Sequence, residues 1–122
     1  MAKLTIEDLL AVKERPSNEK TTVFLPSLGG ELEVLKIPLA RYMRMISEAA
    51  SDDAEKSLYA QYDLIYACCP LLHDAQLQEA YACHEPSEIV PKVLQENLGD
   101  LNTLTVAITG MYGVNAEGLL KN

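Results

Sequence analysis

Tryptophan is absent from this 122-residue chain and phenylalanine occurs once. Ring content therefore rests on six tyrosines, whose hydroxyls suit half-buried positions and contact surfaces. Cysteine is scarce and odd in number, with Cys68 and Cys69 adjacent and Cys83 the third. That excludes the paired framework of a small secreted scaffold. No apolar run approaches the roughly 20 residues of a membrane span. Glu7 and Asp8 fall where a secretory leader needs an apolar core. The expected setting is the cytosol, with reduced thiols and no membrane contact. Basic residues are also short in one part of the chain. Residues 1–50 carry seven basic and seven acidic side chains, whereas residues 51–122 carry three and eleven. The whole net charge of −8 thus lies in the second part. Such a surface repels phosphate, which argues against nucleic acid, and suits a basic or amphipathic partner.

Catalytic and cofactor motifs are missing too. Cys68, Cys69, His73, Cys83 and His84 are five potential metal ligands within 17 residues. Adjacent helical residues point about 100° apart, and Pro70 interrupts pairing of Cys69 with His73. No C-x-x-C or H-E-x-x-H spacing is present. Cys68 or Cys69 reads as a small core residue, and the histidines as turn residues. His73-Asp74 and His84-Glu85 are neighbours in sequence, which is not the geometry of a base and its orienting group. Gly29-Gly30 lacks a phosphate-binding pattern and reads as a turn. No catalytic, cofactor or metal site is assigned, and a non-enzyme is expected.

What is present describes one α+β domain, mainly helical, with five to six helices and an N-terminal β-hairpin docked on them. Apolar residues make up 48% of the chain, ordinary for a globular protein. Residues 1–20 read as a short helix and a linker. Thr5 caps the helix, Asp8 holds the reciprocal position, and Pro16 stops it near Arg15. Ser17 to Lys20 is polar. Residues 21–38 read as the hairpin: Thr21 to Pro26, a turn over Ser27 to Gly30, and Glu31 to Ile37. Leu32, Val34 and Lys36 share one face, with Leu35 and Ile37 on the other. A lone hairpin is marginal in water, so it must dock on helices.

Residues 39–113 form the helical part. Leu39, Tyr42, Met43 and Ile46 recur at helical spacing. Ser51-Asp52-Asp53 follows as a break and N-cap. Leu58, Tyr62, Ile65, Tyr66 and Cys69 form a second stripe that ends at Pro70. Asp74 caps a short helix with Leu77, Ala80 and Tyr81. Ser87 is read as the N-cap before Ile89, Val90, Val93 and Leu94, and Leu98-Gly99-Asp100 as a break. Leu101, Leu104, Ile108, Met111 and Tyr112 define a last helix closed by Gly113. Residues 114–122 read as a tail.

Apolar residues off these stripes mark a contact surface. Met45 and Tyr59 are of this kind, and Tyr81 joins them at the end of its short helix. Arg41 and Arg44, one helical turn apart, form with Lys36 the only compact basic group. They suit an acidic partner, or the acidic part of a neighbouring copy.

The order of several fragments resembles the XkdN-like tail assembly chaperones of long-tailed bacteriophages and prophages of Gram-positive bacteria. These fragments are Leu4-Thr5 with Asp8-Leu9-Leu10, Leu25 to Gly30, Leu35 to Leu39, Cys69-Pro70-Leu71-Leu72, Leu77-Gln78-Glu79-Ala80-Tyr81 and Glu85 to Val90. Gln95 to Asp100 departs from the family's usual connection. The resemblance implies a non-enzymatic chaperone that binds the tape measure protein, keeps it soluble and promotes tail-tube assembly around it. It also implies contact with the tail-tube protein, residence in the bacterial cytoplasm and absence from the mature virion. Self-association is a further expectation. The alternatives are a minor structural tail protein retained in the virion, or a regulatory protein stabilised by metal at the Cys/His cluster.

Overall fold

A computed structural model describes residues 3–14 and 20–113. The expected helix stop at Pro16, the Ser17–Lys20 linker apart from Lys20, and the 114–122 tail lie outside the described residues. Within them stand six α-helices and one two-stranded antiparallel sheet. The α+β, mainly helical architecture is the one expected.

Helix α1 spans Ile6–Ala11 and runs into a 3-10 turn, Val12–Glu14. Its capping box is complete. Asp8 N–H donates to the Thr5 hydroxyl at 3.2 Å, and Thr5 N–H donates to the Asp8 carboxylate at 2.9 Å. No α1 residue is buried.

Strands β1 (Lys20–Leu25) and β2 (Gly30–Leu35) pair with Val23 opposite Leu32 and Thr21 opposite Val34. This register puts Val23, Leu25, Leu32 and Val34 on one face, and that face meets the core. The turn closes through Gly29 N–H donating to Leu25 O at 2.9 Å, with Gly29 at φ 68°. Gly29 supplies the positive φ there without a Cβ penalty. Lys36 lies beyond β2, 5.2 Å over the Tyr112 ring. Phe24, on the outer face, is exposed.

Helices α2 (Leu39–Ala49) and α3 (Ala54–Cys68) pack side by side. Asp53 caps α3, accepting from Glu55 and Lys56 N–H at 3.0 and 3.1 Å. Pro70 ends α3 and opens a 3-10 turn, Pro70–His73. Asp74 caps α4 (Ala75–Ala80) through Leu77 N–H at 2.9 Å. A second 3-10 turn, Pro86–Glu88, leads into α5 (Ile89–Val93), and α6 spans Leu98–Met111. Fully buried side chains from β1, β2, α3, α5 and α6, including Leu25, Val34, Leu64, Ile89 and Ile108, form one core.

Three expectations are corrected. In α2 the core side is Tyr42, Met45 and Ile46, while Leu39 and Met43 are exposed. The cause is a distant contact. The Tyr42 ring stacks on Tyr112 at 4.0 Å and its hydroxyl bonds Thr109 at 3.2 Å, which fixes the helix phase. Ser87 is not an N-cap, because it lies inside the Pro86–Glu88 turn and Glu85 precedes that turn. Leu98-Gly99-Asp100 is not a break but the first turn of α6, capped by Asn97 accepting from Asp100 N–H at 2.9 Å. Asp100 is buried, and its carboxylate accepts from the Ser27 hydroxyl, tying α6 to the hairpin turn. Tyr112 adds a second tie by donating to Ile37 O at 2.5 Å and accepting from Ile37 N–H at 2.8 Å.

Candidate functional site

The exposed part of α3 and the turns around α5 enclose a groove. Three adjoining hollows of about 200, 430 and 600 Å³ share Tyr62 and Pro91. Tyr59 and Tyr62 form the aromatic wall, edge to face with centroids 6.1 Å apart. Tyr59 is 57% exposed, whereas Tyr62 is half-buried against the core. Tyr62 is thus the fixed ring and Tyr59 the available one.

The rim is acidic. Glu55 comes from the first turn of α3, Glu85 and Glu88 from the turn before α5, and Glu96 from the turn after it. Among the described residues Lys92 is the single cation lining the groove. It is already engaged, donating to Tyr81 O at 2.9 Å and Ala82 O at 3.3 Å, with Glu88 at 4.0 Å. His84 N–H donates to the Glu88 carboxylate at 2.7 Å and holds its pKa below the usual range. Burial, and then the charge of Glu96, push the Tyr62 hydroxyl up. Glu88 is therefore ionised and the Tyr62 hydroxyl neutral at neutral pH.

Backbone strain shapes one edge. Gln95 and Glu96 are consecutive non-glycine residues at φ 53° and 57°. The left-handed region costs such residues roughly 1–2 kcal/mol each. The turn is held by Glu96 N–H donating to Pro91 O at 2.9 Å and Asn97 N–H to Leu94 O at 3.0 Å. The turn before α5 is braced by Gln78, whose amide donates to Leu72 O at 3.1 Å and Pro86 O at 3.3 Å.

Of the residues expected at a contact surface, the structure brings Tyr59 into this groove. Tyr81 is exposed and lines a different cleft, between the hairpin turn and α4. Arg41 and Arg44 are exposed on α2, and neither has a carboxylate within 4.0 Å among the described residues. Met45 is half-buried against the core, and Met43 is the exposed methionine of that pair. Sequence reading missed Glu55, Glu85, Glu88 and Glu96 as a group. Their local signal was only the acidic excess of the second part.

The Cys/His cluster is dispersed. Cys68 and Cys69 are fully buried, and burial pushes their thiols up to about 11 and about 12. The His73 ring lies 2.6 Å from Tyr66 O, Cys83 is half-buried and His84 is exposed. Among the described residues no three metal-binding side chains converge. No helix among them is long and apolar enough to cross a membrane. Comparison with family models, curated proteins and solved structures finds no match.

Proposed function

We propose that the chain is a non-enzymatic phage tail assembly chaperone that binds the tape measure protein, keeps it soluble and promotes tail-tube assembly around it. It acts in the host cytoplasm and leaves before the virion is complete. Two things support the reading: the ordered resemblance of the fragments from Leu4 to Val90, and the acidic tyrosine groove. The groove is the observation that carries it. Aromatic rings flanked by carboxylates suit an apolar helix bearing lysine or arginine. The rings cover apolar side chains and attract cations over their faces, while the carboxylates steer the encounter and reject acidic segments. Bound copies also add negative charge, which keeps an apolar complex in solution.

Co-expression with the tape measure protein tests the proposal. Solubility of that protein only in the presence of this chain, with co-purification of the two, is the expected result. An insoluble partner and no complex would overturn it. Mass spectrometry of purified particles separates it from a retained structural protein, since a chaperone is missing from the virion.

A further inference from the structure

The hollows of the acidic groove follow one another along α5. Pro91 and Tyr62 line all three and so mark the middle. Glu85 and Ser87 line only the hollow before α5, whereas Leu94, Asn97, Leu98 and Leu101 line only the one beyond its C-terminal end. The two ends differ in chemistry. At the first, Glu85 and Glu88 stand beside the exposed Tyr59 ring. At the second, Leu58, Tyr62, Pro91, Leu94, Leu98 and Leu101 make an apolar wall, with Glu96 and Asn97 as its polar members. The Asn97 side chain is already engaged, accepting from Asp100 N–H at 2.9 Å.

Leu98 is the unexpected residue of this wall. It opens α6 at 64% exposure, while Leu101, one turn on, is buried. A polar or acidic side chain would serve the first turn of a helix at least as well, so what leucine adds there is apolar lining. The hollow that it lines measures about 200 Å³. A dry apolar cavity of about 150 Å³ takes one benzene molecule, so this hollow admits one leucine, methionine or phenylalanine side chain and has no room for two.

We infer that the groove reads two side chains of a bound helix: a large apolar one seated in the Leu94–Leu98 hollow, and, two turns along the same face, a lysine or arginine held between Tyr59 and the Glu85 and Glu88 carboxylates. This rests on the reading of the groove as the site for an apolar helix bearing cations, and adds to it a pocket and a spacing. The spacing follows from α5. Glu88 and Leu94 are six residues apart, about 9 Å at helical rise, and positions i and i+7 of a partner helix are about 10.5 Å apart. The cation follows from charge. Among the described residues Glu55, Glu85 and Glu88 share one lining cation, Lys92, whose ammonium donates to Tyr81 O and Ala82 O. An acidic segment is therefore repelled, and a wholly apolar one leaves the carboxylate end without a partner.

Calorimetric titration of the full chain with designed peptides tests this without the tape measure protein. The probe is an alanine- and glutamine-based peptide of about 18 residues, long enough to hold a helix in water, with leucine at i and arginine at i+7. Replacing its leucine by alanine, or its arginine by glutamine, should each weaken binding about tenfold or more. Moving the arginine to i+5, on another face, should weaken it as much. Leu98→Ser should remove the effect of the leucine replacement and leave that of the arginine, and Glu88→Gln should do the reverse, because coupled groups fail to add. Leu98→Gln and Glu85→Gln serve as replacements if circular dichroism shows either variant unfolded. No binding at millimolar peptide, equal binding of the i+5 peptide, or additive losses in both variants would overturn the inference. If that happens while the tape measure protein still forms a soluble complex with this chain, the chaperone reading stands and the two-point recognition falls. If the peptides behave as expected and the tape measure protein forms no complex, the recognition stands and the chaperone reading falls.

Discussion

Tyr59 and Tyr62 occupy neighbouring positions on α3 and differ in what holds them. Tyr62 packs on the core, and Tyr59 is exposed and meets the Tyr62 ring edge to face. Tyr59→Ala should therefore change the unfolding free energy by no more than about 0.5 kcal/mol. It should weaken binding to the tape measure protein about tenfold or more, as removal of an aromatic anchor does. Urea titration and calorimetric binding check the two halves. The buried thiols give a second expectation. Folded-state values of about 11 for Cys68 and about 12 for Cys69 lie above the ordinary value of 9.0. Between these limits the unfolded chain holds fewer protons than the folded one. Stability is thus unaffected below pH 9 and falls as pH rises toward 12, by a few kcal/mol in total. Urea midpoints measured from pH 8 to 11 should decline, and Cys69→Ala should flatten the decline. A flat profile in the wild type would show the thiols to be accessible.

Elements were legible where their signals are local. Thr5, Asp53 and Asp74 could be read as caps because a cap is set by a side chain and a backbone N–H two or three residues on. The hairpin was legible for the same reason, from alternation and a glycine turn. The phase of α2 was not. Leu39 and Met43 have the composition of a core stripe, but the stack of Tyr42 on Tyr112 is made across 70 residues of chain and outweighs it. The groove was legible only in part. Tyr59 stood out from its stripe, whereas its acidic rim joins residues 55–62 to residues 85–96, a juxtaposition that periodicity does not encode. Asn97 shows the consequence for stability. It caps a helix that carries Leu101, Leu104 and Ile108 into the core. Asn97→Ala should lower stability by about 1 kcal/mol. Thr5→Ala removes a comparable cap from α1, which buries nothing in one protomer. In dilute, monomeric protein it should change global stability by less than about 0.5 kcal/mol. Paired urea denaturation curves distinguish the two.

At the scale of the whole molecule, charge and apolar surface are divided between two faces. The hairpin–α4 cleft is apolar, and the groove along α3 and α5 is acidic, in keeping with the net charge of −8. The groove suits a basic, apolar helix. An attraction that depends on exposed carboxylates weakens as the Debye length falls from about 10 Å at 0.1 M salt to 3 Å at 1 M. The most direct test is a sedimentation assay of the tape measure protein. It would be co-expressed with the wild type or with a Tyr59→Ala, Glu88→Lys variant, in low and high salt. With the wild type at low salt the tape measure protein should stay in the supernatant. With the groove variant, or in high salt, it should pellet. Equal solubility with wild type and variant would contradict the groove as the site of action, and a pellet under every condition would contradict the chaperone function itself.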